Sequence, residues 1–173
     1  RMRHLIVVLF SVALLQAPNL ARADFDGGMT AFQRGDYETA LEEFRALADQ
    51  GDADAQYMLG GMYSAGRGVP RNYIKAVRWS RLAAEQGHAE AQFSLAMSHA
   101  FGFGGLEIDV VESYKWAAIA ASNGIKDALK FQEYIEAEMT SQQIETARNR
   151  AADCIKNNHK GCVGEQSNES ATQ

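Results

Sequence analysis

Apolar positions recur along most of the chain with the spacing of α-helices. Between residues 72 and 86, small or apolar side chains follow one another at intervals of three or four residues, at Tyr73, Ala76, Val77, Ser80 and Ala83. This spacing places them on one face of a helix. Val and Ile form no alternating run of the kind that half-buried strands show. The pattern predicts no sheet and eight helices, near residues 25–34, 36–50, 52–65, 72–86, 88–101, 109–123, 125–138 and 141–157.

The middle of the chain repeats itself every 36 residues. Equivalent positions carry the same residue at Gly51, Gly87 and Gly124, and at Trp79 and Trp116. The last interval is one residue longer, and the additional residue lies between Gly104 and Asp109, in a loop. Glycines after Ala65 and Phe101 permit the left-handed conformation that ends a helix. Each unit is therefore predicted to be a helix, a tight loop and a second helix.

A single helix pair cannot bury its own apolar face, so the predicted pairs must stack side by side. The predicted fold is all-α: a short right-handed α-solenoid of stacked antiparallel helix pairs, with a C-terminal capping helix. We expect one domain over residues 24–163, with repeats near 29–51, 53–87 and 89–124 and a capping region at 125–163. Residues 164–173 are polar and are predicted to be a disordered tail.

Residues 1–23 have the parts of a secretory signal. A basic start is followed by an apolar stretch of eleven residues from Leu5 to Leu15 and by the small-x-small sequence Ala21-Arg-Ala23. As a helix, eleven residues span about 16 Å, against roughly 30 Å of hydrocarbon in a bilayer, so a membrane anchor is the weaker interpretation. We expect cleavage before Asp24, export through the inner membrane and a periplasmic protein without stable membrane insertion.

Charge narrows the range of partners. Without residues 1–23, which contain three arginines, the chain has 22 acidic and 14 basic residues and a net charge near −8. Nucleic-acid binding, or attachment to anionic lipid by charge, requires a basic surface. We therefore expect no nucleic-acid partner.

Motifs for catalysis are absent from the sequence. It contains neither Gly-x-Ser-x-Gly nor His-Glu-x-x-His. The glycine-rich segments at 66–68 and 102–105 resemble phosphate-binding loops, but they follow no strand and precede no Lys-Ser or Lys-Thr, so we interpret both as turns between helices. His99 occupies the position of Tyr63 in the preceding unit, which favours a core or loop histidine over a catalytic base. No catalytic residue and no cofactor are predicted.

Cys154, His159 and Cys162 have the spacing Cys-x4-His-x2-Cys. They could supply three zinc ligands, but a structural zinc site takes four protein ligands, and an oxidising compartment favours a disulfide. A disulfide between Cys154 and Cys162 is the preferred prediction. Free thiols and a metal site are the alternatives.

Residues 53–87 carry three sequence elements of a known repeat. These are Ala-x-Ala-Gln-x-x-Leu-Gly, Tyr-x-x-Gly-x-Gly-Val and Ala-Ala-Glu-Gln-Gly. In these elements and their spacing the chain resembles the Sel-one-like repeat, a branch of the tetratricopeptide superfamily. Residues 89–124 are similar to a second, more degenerate copy, in which His99 replaces Tyr63 and the loop at 104–108 differs. The resemblance implies a noncatalytic adaptor, in bacterial envelopes often a regulator or an interaction platform.

The first helix of each pair should line the concave face, and its positions outside the repeat pattern are free to specify a partner. Read at the repeat spacing, the candidate partner-binding residues are Asp54, Met58, Glu90, Met97, Phe101, Asp127, Phe131 and Tyr134. They form a stripe with acidic residues at one end and larger apolar residues beyond. Such a strip suits an amphipathic or extended segment with a basic flank. Burial of Met97 and Phe101 against adjacent repeats is an equally good interpretation.

The functional hypothesis is a monomeric periplasmic adaptor or regulator that binds another envelope or secreted protein. Restraint of a sensor kinase and immunity to a toxin both fit this role. The alternative is a cell-wall ligand binder or a β-lactam-interacting enzyme, because a cysteine-rich branch of the same repeat family is linked to such activities. That branch carries cysteine pairs in successive repeats, whereas both cysteines here follow the last repeat.

Overall fold

The computed structural model describes residues 24–159 together with Cys162. Within these residues there are eight α-helices, one short 3-10 helix and no strand. The helices are α1 (Phe25–Gln33), α2 (Tyr37–Asp49), α3 (Ala53–Ala65), α4 (Tyr73–Glu85), α5 (Ala89–Phe101), α6 (Val110–Ser122), α7 (Lys126–Glu136) and α8 (Ser141–Lys156), with the 3-10 helix at Phe103–Gly105. All eight predicted helices are present, and their ends lie within two residues of the predicted ones. The predicted signal at 1–23 and tail at 164–173 lie outside the described residues.

Polar side chains explain where the helices begin. Asp52 accepts a hydrogen bond from the backbone N–H of Ala55 at 2.8 Å, and Asn72 accepts one from Lys75 at 2.9 Å. At α8, Thr140 and Gln143 form a reciprocal capping box, as their spacing predicts. Because the caps satisfy N–H groups that have no partner inside the helix, they fix the first turn of each element.

The helices form pairs, and the pairs stack in chain order. α1 packs against α2, α3 against α4 and α5 against α6, while α2, α4 and α6 each pack against the helix that follows. This arrangement is the predicted short α-solenoid. None of the described helices is both long enough and apolar enough to cross a lipid bilayer.

A recurring glutamine ties neighbouring pairs together. The side chains of Gln56 and Gln92 are buried at the start of α3 and α5. Each donates a hydrogen bond from Nε2 to a backbone oxygen near the end of the preceding helix, Ala48 O or Ala84 O, at 3.2 Å. The sequence element Ala-x-Ala-Gln therefore has a structural role, because its glutamine bridges one pair to the next.

The last two helices depart from the regular pairing. α8 packs mainly against α6, and its apolar stripe of Ile144, Ala147, Ala151 and Cys154 joins the core around that helix. Its link to α7 includes the ion pair between Arg148 Nη2 and Glu136 Oε1 at 3.0 Å. Three regular pairs are therefore followed by α7 and α8, which both use α6 as their main support. The predicted role of α8 as a cap agrees with this position.

Candidate functional site

Five aromatic side chains from four elements, α4, the 3-10 helix, α5 and α7, form a continuous row that we call the aromatic ribbon, and all but Phe131 are exposed. In spatial order its members are Tyr73, Phe103, Phe101, Phe131 and Tyr134. Successive ring centroids are 5.9, 5.8, 6.2 and 6.4 Å apart. Phe101 is 52% exposed and Tyr134 is 65% exposed. The structure thus brings together three predicted strip residues from α5 and α7 and extends the row to the start of α4.

The ribbon rests on a partly buried aromatic base. Phe131 packs edge-on against Phe93 of α5 with ring centroids 5.6 Å apart, and both side chains are half-buried. Both residues pack against the core cluster that contains Leu95 and Trp116. The ribbon is therefore anchored in the core at Phe131, while its other four rings remain exposed to solvent.

Loop glycines place Phe103 in the ribbon. Gly102 ends α5 with φ 68°, and Gly104 has the same φ inside the 3-10 helix. A Cβ on Gly104 would lie 2.7 Å from the carbonyl oxygen of Tyr73 and 2.5 Å from Val77 Cγ2, so only glycine fits this contact. The loop with the additional residue is consequently pressed onto the start of α4, where Phe103 stacks on Tyr73. The preceding repeat has Arg67 in place of Phe103, so the repeat pattern alone could not indicate this stacking.

The two methionines of the predicted strip are less exposed than its aromatic residues. Met58 on α3 is half-buried and packs against the N-terminal core cluster, which includes Phe44 and Leu59. Met97 on α5 is also half-buried. Phe101 is mostly exposed, so the interpretation in which it is buried between repeats is wrong. The exposed apolar part of the strip is thus largely aromatic.

Two of the three predicted acidic residues converge on one histidine. His88 lies 3.3 Å from Asp54 and 3.4 Å from Glu90, as measured from ring nitrogens to carboxylate oxygens. The same ring packs at a tilt against the ring of Tyr57, with centroids 4.5 Å apart, and caps α5 by accepting from the N–H of Ala91. Burial, and after it the charge of Glu90, raises the pKa of Tyr57.

The third predicted acidic residue stands apart from this cluster. Asp127 is exposed in the first turn of α7, and its carboxylate lies 3.9 Å from Lys130 Nζ. Along α5, Glu90 and Phe101 are eleven residues apart, a rise of about 16 Å. The site is thus a row of aromatic rings with carboxylates displaced toward the N-terminal ends of α5 and α7.

His99 lies beside the loop, in the position of Tyr63. Burial lowers the pKa of its imidazole, and Nδ1 has no hydrogen-bond partner among the described residues. Its backbone oxygen accepts from the N–H of Asp109, which joins the end of α5 to the start of α6. These contacts agree with the predicted packing role.

Cys154 and Cys162 form the predicted disulfide, with their Cα atoms 5.1 Å apart. Both cysteines are buried in the core around α6. The buried ammonium of Lys115 donates to the backbone oxygen of Cys162 and is paired with Glu112. Burial lowers the pKa of Lys115. The lysine, which the sequence did not single out, thereby holds the disulfide-closed segment against α6.

The third residue of the cysteine motif lies close to the disulfide. One ligand atom each from Cys154, His159 and Cys162 lies within 4.8 Å of the other two. Because the two sulfurs are bonded to each other, this arrangement offers no thiolate for a metal ion. His159 instead packs against Gly87, in the turn between α4 and α5.

Comparison with known proteins identifies the repeat. Residues 53–88 and 89–125 each match the family model of the Sel1 (Sel-one-like) repeat. No curated protein sequence matches the chain with significance. The solved structures similar to it include two of SLR or Sel1 repeat proteins.

One is c5321, described as a protective antigen present in uropathogenic Escherichia coli strains that displays an SLR fold. It is 29% identical with a TM-score of 0.71, and the match covers 78% of this chain and 30% of that chain. The other is a Sel1 repeat protein from Oxalobacter formigenes, 30% identical with a TM-score of 0.63, where the match covers 75% of this chain and 55% of that chain. The chain thus spans less than two thirds of the length of either protein.

Proposed function

Since the chain is a Sel1-like repeat protein, we propose that it is a noncatalytic adaptor or regulator that binds another envelope or secreted protein. The Sel1 repeat family is consistent with a scaffold for protein interaction. The observation that carries the proposal is the aromatic ribbon. It supplies a specific surface for the partner.

Exposed aromatic rings in a continuous row favour burial by a partner. Aromatic side chains are enriched at protein interfaces, and a contiguous exposed apolar patch commonly marks such an interface. Each ring offers a large contact area and has few rotatable bonds to order on binding. Phe101 and Tyr134 are the anchors of the proposed interface, since both are mostly exposed and both contact the half-buried Phe131.

The carboxylates near the ribbon favour a partner with basic residues. Asp54, Glu90 and Asp127 are all exposed. Opposite charges around an apolar contact increase the association rate and favour one orientation of the partner. We therefore propose an amphipathic or extended partner segment, with apolar residues on the ribbon and a basic flank toward Glu90 and Asp127.

The disulfide supports a periplasmic location. Disulfides persist in oxidising compartments and are rare in the cytosol. The Cys154–Cys162 bond is buried, so it belongs to the folded core. We propose that the protein acts in the periplasm as a monomer.

Site-specific photo-crosslinking in the native host tests the proposed surface. A photoreactive phenylalanine analogue replaces Tyr134 of the ribbon in the full chain, and a matched control chain carries it at Ile155, an exposed apolar position on α8. We expect one discrete protein adduct from position 134 and not from position 155. The adduct should also disappear when Phe101→Ala is added to the first chain.

Three results would overturn the proposal. The first is the absence of an adduct from position 134, and the second is the same adduct from both positions. The third is turnover or tight binding of β-lactams or muropeptides by the purified chain, which would assign it to cell-wall chemistry.

A further inference from the structure

α4 exposes two apolar side chains that the repeat pattern does not explain. Ile74 is 67% exposed and Leu82 is 40% exposed. They are eight residues apart, which places them on the same side of the helix. In the preceding repeat the equivalent positions on α2 are Glu38 and Ala46. The two residues therefore form an apolar surface that is specific to α4.

α4 and the loop before it carry a concentration of positive charge. From Ala55 to Ala84 the chain has no acidic residue and five basic ones, Arg67, Arg71, Lys75, Arg78 and Arg81. Within the described part of the chain, none of these five forms an ion pair with a carboxylate. Arg71 and Lys75 lie over the rings of Tyr73 and Tyr63 instead. We refer to Ile74, Lys75, Arg78 and Leu82 together as the α4 face.

The equivalent face of the next repeat is covered by a helix. At the 37-residue step that relates Trp79 to Trp116, the four positions become Val111, Glu112, Lys115 and Ile119 on α6. Lys115 and Ile119 are buried, and the side chain of Glu112 is only 14% exposed. α8 is packed on α6, where Arg150 Nη1 lies 3.1 Å from Glu112 Oε1. The fold itself therefore shows an amphipathic helix seated on this face.

We propose that the α4 face binds an amphipathic helix of another protein, with carboxylates beside its apolar stripe. On α6 the equivalent face presents the carboxylate of Glu112, and α8, which covers this face, supplies Arg150. On α4, Lys75 takes the place of Glu112 and Arg78 takes the place of Lys115. Because both of these side chains are cationic, the partner helix must bring acidic residues. The chain's own α8 carries Arg148 and Arg150 and has the wrong charge for this position.

An anionic lipid surface is the competing source of negative charge. Lipid headgroups would neutralise the cations, but they would not require Ile74 and Leu82 to lie two helical turns apart. That spacing matches the way α6 holds α8, with Val111 and Ile119 eight residues apart and packed in the core around it. The helix is therefore the occupant that the structure favours. The α4 face and the aromatic ribbon share no residue, so failure of one proposal would leave the other unaffected.

A designed peptide tests the α4 face directly. The probe is the α8 segment, residues 141–156, with Arg148→Glu, Arg150→Glu and Cys154→Ala. A hydrocarbon staple between the outward-facing positions 145 and 149 keeps it helical, which removes most of the ordering cost of binding. Binding to the full chain is followed by fluorescence anisotropy. We expect saturable binding at submillimolar concentration.

Paired variants identify the surface. Lys75→Glu with Arg78→Glu should weaken binding of the acidic peptide at least about tenfold, since two favourable charge contacts become repulsive. Ile74→Ser with Leu82→Ser should weaken it to a similar extent. Arg34→Glu with Lys156→Glu, which changes the net charge equally at exposed positions elsewhere, should leave it unchanged. The stapled peptide with the native Arg148 and Arg150 should instead prefer the Lys75→Glu, Arg78→Glu chain.

The proposal fails if the acidic peptide does not bind at about 1 mM, or binds all variants equally. It also fails if phosphatidylglycerol vesicles bind through Lys75 and Arg78 while the peptide does not, because the face would then belong to a lipid surface.

Discussion

Two loop glycines, Gly68 and Gly104, join successive repeats by packing directly on backbone. A Cβ on Gly68 would lie 2.7 Å from the carbonyl oxygen of Tyr37, and one on Gly104 would lie 2.7 Å from that of Tyr73. Tyr37 and Tyr73 are equivalent positions one repeat apart. The glycine-rich segments are thus contacts between repeats as well as turns, and their resemblance to phosphate-binding loops is superficial.

Substitution of Gly104 tests the importance of this contact. Gly105 also has a left-handed φ, of 77°, but a Cβ there would meet nothing within 4 Å. Gly105→Ala should therefore cost only the conformational penalty, about 1–2 kcal/mol. Gly104→Ala should cost a further 1–3 kcal/mol or so, because its Cβ overlaps Val77 and the Tyr73 backbone. Urea unfolding of the two variants measures the difference, and equal losses would contradict the assigned contact.

His99 makes stability depend on pH in a predictable direction. Because burial lowers the pKa of its imidazole, the unfolded chain binds a proton more readily than the folded one below the ordinary histidine pKa of 6.5. The free energy of unfolding should consequently fall as the pH drops below about 6.5 toward the folded pKa.

His99→Tyr, which restores the residue of the preceding repeat, isolates this effect. His88 and His159 are present in both chains, so the difference between the two stability profiles belongs to position 99. We expect the wild-type chain to lose more stability than the variant between pH 7 and pH 5 in urea titrations. Parallel profiles would show that His99 is not buried as described.

Between helices, the buried glutamines provide a second link from repeat to repeat. Gln92 donates to Ala84 O, and its own Oε1 accepts a hydrogen bond from Asn123 Nδ2 at 2.8 Å. Gln92→Ala should cost about 2–4 kcal/mol, since it removes both bonds and leaves a cavity. Gln50→Ala is the matched control, because Gln50 is exposed at the end of α2 and bonds only within its own helix, to Ala46 O.

We expect the control to lie within about 0.5 kcal/mol of the wild type. Chemical denaturation of both variants measures the costs. A Gln92 variant as stable as its Gln50 control would show that the bridge contributes nothing.

The helices were predictable because their signals are local. Apolar spacing at three and four residues, glycine ends and polar caps all lie within one element, and the 36-residue period repeats them. The position of α8 was not predictable at this level. Its stripe of Ile144, Ala147, Ala151 and Cys154 fits α7 or α6 equally well in sequence, and only packing selects α6.

Across the whole molecule, the functional surface could be predicted only where it follows the repeat. Phe101, Phe131 and Tyr134 lie at equivalent faces of α5 and α7, so the period identified them. Tyr73 and Phe103 belong to the beginning of α4 and to the irregular loop, and their stacking depends on a backbone contact at Gly104. The α4 face was missed for a related reason. Its exposure becomes informative only by comparison with the covered face of α6.

The most direct test of the ribbon combines folding and binding in one double variant, Phe101→Ala with Tyr134→Ala. Both side chains are mostly exposed, so thermal melts should show a small loss, within about 1 kcal/mol for the pair. As interface anchors, they should each contribute roughly 1–3 kcal/mol to affinity. Pull-down of the partner identified by the crosslinking experiment should therefore fall at least about tenfold while the melting temperature is nearly unchanged. A large fall in melting temperature, or undiminished capture by the folded variant, would contradict the assignment of the ribbon as the binding surface.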